Sequence, residues 1–223
     1  MESLTAPKRL VDQAYEVILD AICTGTLKPG ERLTQHDVAR RLNVSRQPIH
    51  NALIVLKTQG FLREAGRRGL SVAPLDPALF EAIYQFRSAL EPLAVRLATP
   101  RLSPEAIARG RALIAQGHTA SASADSRALV RADMEFHSLI YELSGNSLIL
   151  ETMRLNWQHL RRAMGEVLRL PKLSRRVWRE HEAIFNAMST GNADGAAQLI
   201  HDHVVLAYQD VSAALPNSSS RYA

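Results

Sequence analysis

A chain of 223 residues, 46% hydrophobic and 22% charged, is long enough for two ordinary cores and is not a disordered or collagen-like polymer. Its formal charge of +5 is concentrated in the first third: residues 1–75 hold eleven Lys/Arg against seven Asp/Glu, while residues 76–223 hold sixteen against fifteen. A basic first third suits a nucleic-acid partner or a solvated basic face, and charge does not separate the two.

"MESLTAPKRLVDQ" carries no apolar targeting segment, and the longest apolar run, "ALIVL" at 52–56, is far shorter than a membrane span. The expected location is cytoplasmic, without a membrane partner. From Leu10 to Cys23, the residues Val11, Ala14, Tyr15, Val17, Ile18, Ala21 and Ile22 recur at three and four, which predicts an amphipathic helix ended by "KPGERL". The single cysteine, Cys23, cannot form a disulfide within the chain and reads as a small buried hydrophobe.

Thr34 followed three residues later by Asp37 resembles a capping box and starts a short helix with Val38, Ala39 and Leu42 on its apolar face. A third helix follows directly. Ser45 stands as its N-cap, Pro48 falls in its first turn, and Ile49, Ala52, Leu53 and Leu56 point inward. "FLREAGRRGLSVAPL" then reads as two short strands around a basic, Gly-bearing turn.

Asp76 and Pro77 take the N-cap and N1 positions of a new helix, after which the chain looks entirely helical. Ser103 and Pro104 start another helix, "GHTASASADS" is expected to be a polar connector, and helical patterns run over about 126–144, 147–170, 173–190 and 192–214. The expected organisation is a first domain over 1–75, a bundle of six or so helices over 76–215, and a disordered tail over 216–223.

With its apolar residues committed to a core, the third helix exposes Arg46, Gln47, His50 and Asn51 near its N-terminus. Helix N-termini favour phosphate, Arg pairs with a guanine edge, and Asn or Gln pairs with adenine. An ordinary polar helix surface is the alternative. The stretch "LKPGERLTQHDVARRLNVSRQPIHNALIVLKTQGFLREAGRRGLSV" resembles the winged helix-turn-helix of the GntR family of bacterial transcription regulators, through "PGERL", "SRxP", "AL..L...G" and the "RRG" wing.

The resemblance implies a mainly α protein: an N-terminal winged helix-turn-helix, read out on double-stranded operator DNA, followed by an all-α helical bundle. Arg46 would read the operator, with Ser45, Gln47, His50 and Asn51 beside it, while Arg40, Arg68 and Gly69 would meet backbone and minor groove. The family usually continues "VREAL" where this chain has Ile49, His50 and Asn51. His50 therefore replaces an arginine, so contact there is weakened or made pH-sensitive, and the operator is expected to differ from the commonest one.

Further on, Asp133 and His137 stand four apart on one helix face, His181 lies in "WREHEAIFNAM" and His203 in "AAQLIHDHVVLAY". Three histidines and one aspartate from three helices suit Zn²⁺ or Ni²⁺, although each taken singly reads more simply as a hydrogen-bonded core or surface residue. Residues 78–214 resemble the FCD effector domain of the FadR subfamily, through "FRSALEPLAVRLA", "DMEFHSLIYELSGN" and "EH..I..AM" followed by a later His. That resemblance implies a divalent metal on Asp133, His137, His181 and His203, and an effector acid met by Arg87. Read from spacing, Arg87 forms a surface ion pair with Glu91, and Asn146 a turn or helix cap.

The functional expectation is a homodimeric regulator, a repressor by default, whose operator affinity changes when a small carboxylate enters the metal pocket. Two alternatives stand beside it: a structural ion with a larger effector such as an acyl thioester, and a metal-dependent hydrolase. Against the hydrolase, the chain has no "HExxH" and no general base beside the ligands, so it is expected not to be an enzyme.

Overall fold

The computed structural model describes residues 8–66, 69–123, 125–167 and 171–214, so the expectations for Arg68, for residues 168–170 and for the tail 216–223 lie outside the described residues. The chain divides into two compact units, Met1–Leu75 and Asp76–Ala223.

In the first unit the helices are α1 (Lys8–Cys23), α2 (Gln35–Leu42) and α3 (Arg46–Thr58). Thr34 caps α2 as its sequence requires: its hydroxyl accepts from the Asp37 amide at 3.1 Å and donates to the Asp37 carboxylate at 2.7 Å. At the other end Asn43 takes the left-handed conformation, φ 52°, and returns its N–H to α2 carbonyls. This left-handed cap makes the α2–α3 turn short. Ser45 is the N-cap of α3 by position but makes no side-chain capping bond. Pro48 explains the difference, because it occupies the third helical position and has no N–H for the serine oxygen to accept.

Three antiparallel strands, β1 (Arg32–Leu33), β2 (Leu62–Glu64) and β3 (Leu70–Val72), form a small sheet in the order β1-β3-β2. Strand β1, two residues long, is too short to carry a sequence pattern. Ile18, Leu19 and Ile22 of α1 pack with Ile49, Leu53 and Leu56 of α3 and with Phe61 and Val72 in one core. Cys23, expected to be buried, is half-buried, since it ends α1 at the rim of that core.

The second unit contains six α-helices among the described residues: α4 (Pro77–Ala98), α5 (Pro104–Ser123), α6 (Ser126–Ser144), α7 (Ser147–Val167), α8 (Pro171–Ser189) and α9 (Ala193–Ala214). Asp76 caps α4 through the Ala78 amide at 3.0 Å, and Asn146 caps α7 through the Leu148 amide at 3.1 Å. Helix α4 lies along α9, α9 along α8, and α6 along α4, α5 and α7, so α6, α8 and α9 surround one interior. The expected connector at "GHTASAS" is instead the last two turns of α5. Its small residues permit close packing rather than breaking the helix: Gly117 faces the Trp178 ring, where a Cβ would lie 2.2 Å away, and the buried Ser121 and Ser174 hydroxyls bond at 2.8 Å.

Candidate metal centre and nucleic-acid interface

Asp133 and His137 share one face of α6, His181 enters from α8 and His203 from α9, and all four are at most 3% exposed. The three imidazoles each bring a nitrogen to within 4.8 Å of the others. The Nε2 atoms of His181 and His203 are 3.2 Å apart, and Asp133 Oδ1 lies 3.5 Å from His181 Nε2. Two nitrogens bound about 2.1 Å from one ion stand roughly 3.0–3.4 Å apart, so the spacing fits a shared cation. The donor set fits too. Among the described residues, both Asp133 oxygens and His137 Nε2 are buried without a hydrogen-bond partner, an arrangement costly for a merely structural cluster.

Burial sets the protonation of this cluster. It pushes the His181 imidazole well below its ordinary value, helped by the neighbouring His203 and His137, so His181 is neutral and offers a lone pair. Burial also raises the Asp133 carboxyl, opposed by His137, His203 and Arg87. His201, two residues before His203, sits on the outer side of α9 beside Asp202 and takes no part.

Arg87 is not the surface residue that its spacing suggests: it is 1% exposed, donates Nε to Glu91 Oε1 at 2.6 Å, and lies over the rings of Trp157 and Tyr84. Burial opposes the charge of Glu91, yet Arg87 and His137 outweigh it and hold the carboxyl below the usual range. Removing one partner of such a buried pair costs about 3–5 kcal/mol. A cavity of about 20 Å³ is lined by Arg87, Tyr84, Asp133, His203 and Asp210, with Met164 and Val177 among its apolar walls. It holds about one water. The Tyr84 hydroxyl is buried without a partner among the described residues, and burial pushes its pKa up to about 12.

Sequence reasoning missed two further carboxylates of this centre. Glu91 Oε2 lies 3.1 Å from His137 Nδ1, and Glu180 Oε2 bonds His203 Nδ1 at 2.8 Å. Spacing along a single helix pairs Glu91 with Arg87 only, and it leaves Glu180, beside a candidate ligand in sequence, without an assignment; both contacts cross between helices. Glu135 and Glu182, sequence neighbours of His137 and His181, are exposed as their angular offset requires.

On the first unit, Arg46, Gln47 and Asn51 are exposed on one side of α3, and His50 is half-buried beside them. Gln47 donates to Asn51 at 3.2 Å, and Gln35 at the start of α2 contacts His50 Nδ1 at 2.7 Å. Ser45 is exposed, with its hydroxyl unused by the helix. Arg40 is exposed and 3.5 Å from Asp37. At the wing, a Cβ on Gly69 would come within 2.7 Å of Arg32 Nε, so glycine keeps that side chain seated.

A three-helix unit with a β-hairpin, joined to a helical bundle, is the architecture of a winged helix-turn-helix regulator with an effector domain. The bacterial gntR regulatory family matches residues 10–72, and the FCD domain matches residues 82–206. The Nta operon transcriptional regulator of Aminobacter aminovorans is 32% identical over 79% of this chain and 82% of its own length. The HTH-type transcriptional regulator YdhC of Bacillus subtilis is 27% identical over 86% of each chain. Among solved structures, E. coli McbR/YncC superposes with a TM-score of 0.80 at 21% identity, covering 96% of this chain and 99% of that one. The chain belongs to the GntR family, in the FCD-bearing FadR subfamily, and is a DNA-binding transcription regulator rather than an enzyme. No described helix is long and apolar enough to cross a membrane.

Proposed function

We propose that the protein is a homodimeric repressor whose helical domain binds a divalent cation, Zn²⁺ or Ni²⁺, on Asp133, His137, His181 and His203, and a small carboxylate that changes its affinity for operator DNA. The observation that carries this reading is the set of three buried imidazole nitrogens within 4.8 Å of one another beside a buried carboxylate without donors. Imidazole suits these borderline metals, and one carboxylate offsets their charge. The cation supplies positive charge and open positions for an acid.

Arg87 gives Nε to Glu91 and lines the small cavity, where its guanidinium would meet an incoming carboxylate. The cavity beside it, of about one water's size, is far too small for an acyl thioester. On DNA, Arg46, Gln47, His50 and Asn51 read base edges, while Ser45, Arg40, Arg68 and Gly69 meet the backbone and minor groove. Dimerisation is supported by an exposed apolar stripe along α4, Leu79, Ala82, Phe86, Ala89 and Leu93, at heptad spacing.

Elemental analysis is expected to find Zn or Ni in stoichiometric amount, with chelation lowering the melting temperature and readdition restoring it. A thermal-shift screen of small carboxylic acids on metal-loaded protein should yield a stabilising acid that also alters a gel shift on upstream DNA. Protein that takes up neither metal overturns the cation assignment. Loss of any sequence-specific, salt-dependent shift overturns the operator reading.

A further inference from the structure

Each histidine of the cluster must present one nitrogen inward, and the structure holds the rings in two different ways. His203 donates Nδ1–H to Glu180 Oε2 at 2.8 Å, and its Nε2 lies 3.2 Å from His181 Nε2. Glu180 is itself held by Arg176 Nε at 3.0 Å, and Arg176 also pairs with Asp210. His137 has Nδ1 3.1 Å from Glu91 Oε2, with both side chains fully buried. The other oxygen of Glu91 receives Arg87 Nε and the Tyr141 hydroxyl, each at 2.6 Å. Among the described residues His181 has no such carboxylate on Nδ1; its ring stacks on Phe136 at 4.4 Å and meets the Trp178 edge at 4.8 Å.

We propose that Glu180 and Glu91 are positioning residues of the cation site: each takes the Nδ1–H of one ligand histidine, His203 and His137 respectively, and so fixes the tautomer that offers Nε2. Carboxylates behind ligand imidazoles lock ring orientation and make the ligand more basic. Glu91 has a second consequence. One carboxylate serves both His137 and Arg87, so the histidine and the acid-binding arginine are held by the same group. Glu180 serves His203 alone among the cluster, through an ion-pair chain reaching Asp210.

The inference rests on the cation reading above, and the test separates the two. Zn²⁺ affinity of the full-length chain is measured by competition with a fluorescent chelator. Glu180→Ala and Glu91→Gln are each expected to weaken Zn²⁺ binding about 10- to 100-fold, whereas Glu182→Gln, on an exposed residue beside His118, leaves it unchanged. Glu180→Ala added to His203→Ala is expected to cost nothing further, because it acts through that ring. Long-range ¹H–¹⁵N spectra of the Zn-loaded protein should show His203 and His137 protonated at Nδ1 and ligated at Nε2.

If Glu91→Gln does not fold, the partly exposed Glu180 decides the matter, since its removal leaves the core intact. Wild-type affinity in a folded Glu180→Ala, or ligation of His203 through Nδ1, overturns the proposal while the cation reading stands. Failure of the wild type to bind either Zn²⁺ or Ni²⁺, with no difference from His181→Ala, overturns the cation reading itself.

Discussion

Gln35 Nε2 stands 2.7 Å from His50 Nδ1, so an amide on α2 engages one imidazole nitrogen and leaves the other for the DNA contact proposed for His50. The departure from the family pattern at His50 thus involves two residues on two helices. Gln35→Ala and His50→Ala are each expected to weaken operator binding by about 0.5–1.5 kcal/mol, and the double variant by no more than the larger single effect. Fluorescence anisotropy at fixed salt measures this, and strict additivity would remove Gln35 from the readout. Arg46→Ala, at an exposed position of α3, is expected to cost about 1–3 kcal/mol of operator affinity and to relax specificity at one position. A second residue-level case is Asp37, whose carboxyl is held below its ordinary 3.8 first by the Thr34 hydroxyl. A depressed carboxyl stabilises the fold above its unfolded value and loses that contribution as pH falls through the folded one. In Thr34→Ala, an NMR titration should find the Asp37 carboxyl moved back up toward 3.8.

At the level of elements, α5 shows where packing overrides composition. "GHTASAS" has the small and polar residues of a loop, yet Gly117 and Ser121 are the places where α8 approaches α5. Gly117→Val is expected to overpack this contact and destabilise the protein by about 1–3 kcal/mol, seen as a lower melting temperature. A melt unchanged from wild type would mean that Trp178 moves aside freely. The same element explains what the sequence could and could not disclose. Helices α1, α3, α4, α6 and α9 were legible because their apolar spacing and caps are local properties, whereas spacing only allowed the four clustered residues to converge and the FCD resemblance singled them out. The end of α5, β1, Glu91 and Glu180 were not legible as parts of the structure, because each owes its role to a partner on another element. Ser45 is the N-cap of α3 by position, but its hydroxyl accepts no helix amide, for a local reason, the proline three residues on.

For the molecule as a whole, the two units divide the work that the charge distribution already separates: a basic reading head in residues 1–75 and a nearly neutral effector domain after it. A single reading head makes few base contacts, and affinity for a palindromic site grows when two heads are tied together, because the second binding event becomes intramolecular. The α4 stripe supplies a surface suited to that pairing, with Leu79, Phe86 and Leu93 exposed by 37–46% on one helix face at intervals of seven. Facing copies of such a stripe would bury apolar area that is otherwise left in water. Phe86→Glu places a charge at its middle without entering the core, so the melt of a single chain should change by no more than about 0.5 kcal/mol. Sedimentation velocity is expected to show a wild-type dimer and a Phe86→Glu monomer, with operator affinity falling as the two half-sites are bound independently. A Phe86→Glu protein that sediments as a dimer would place the interface on another face of the effector domain.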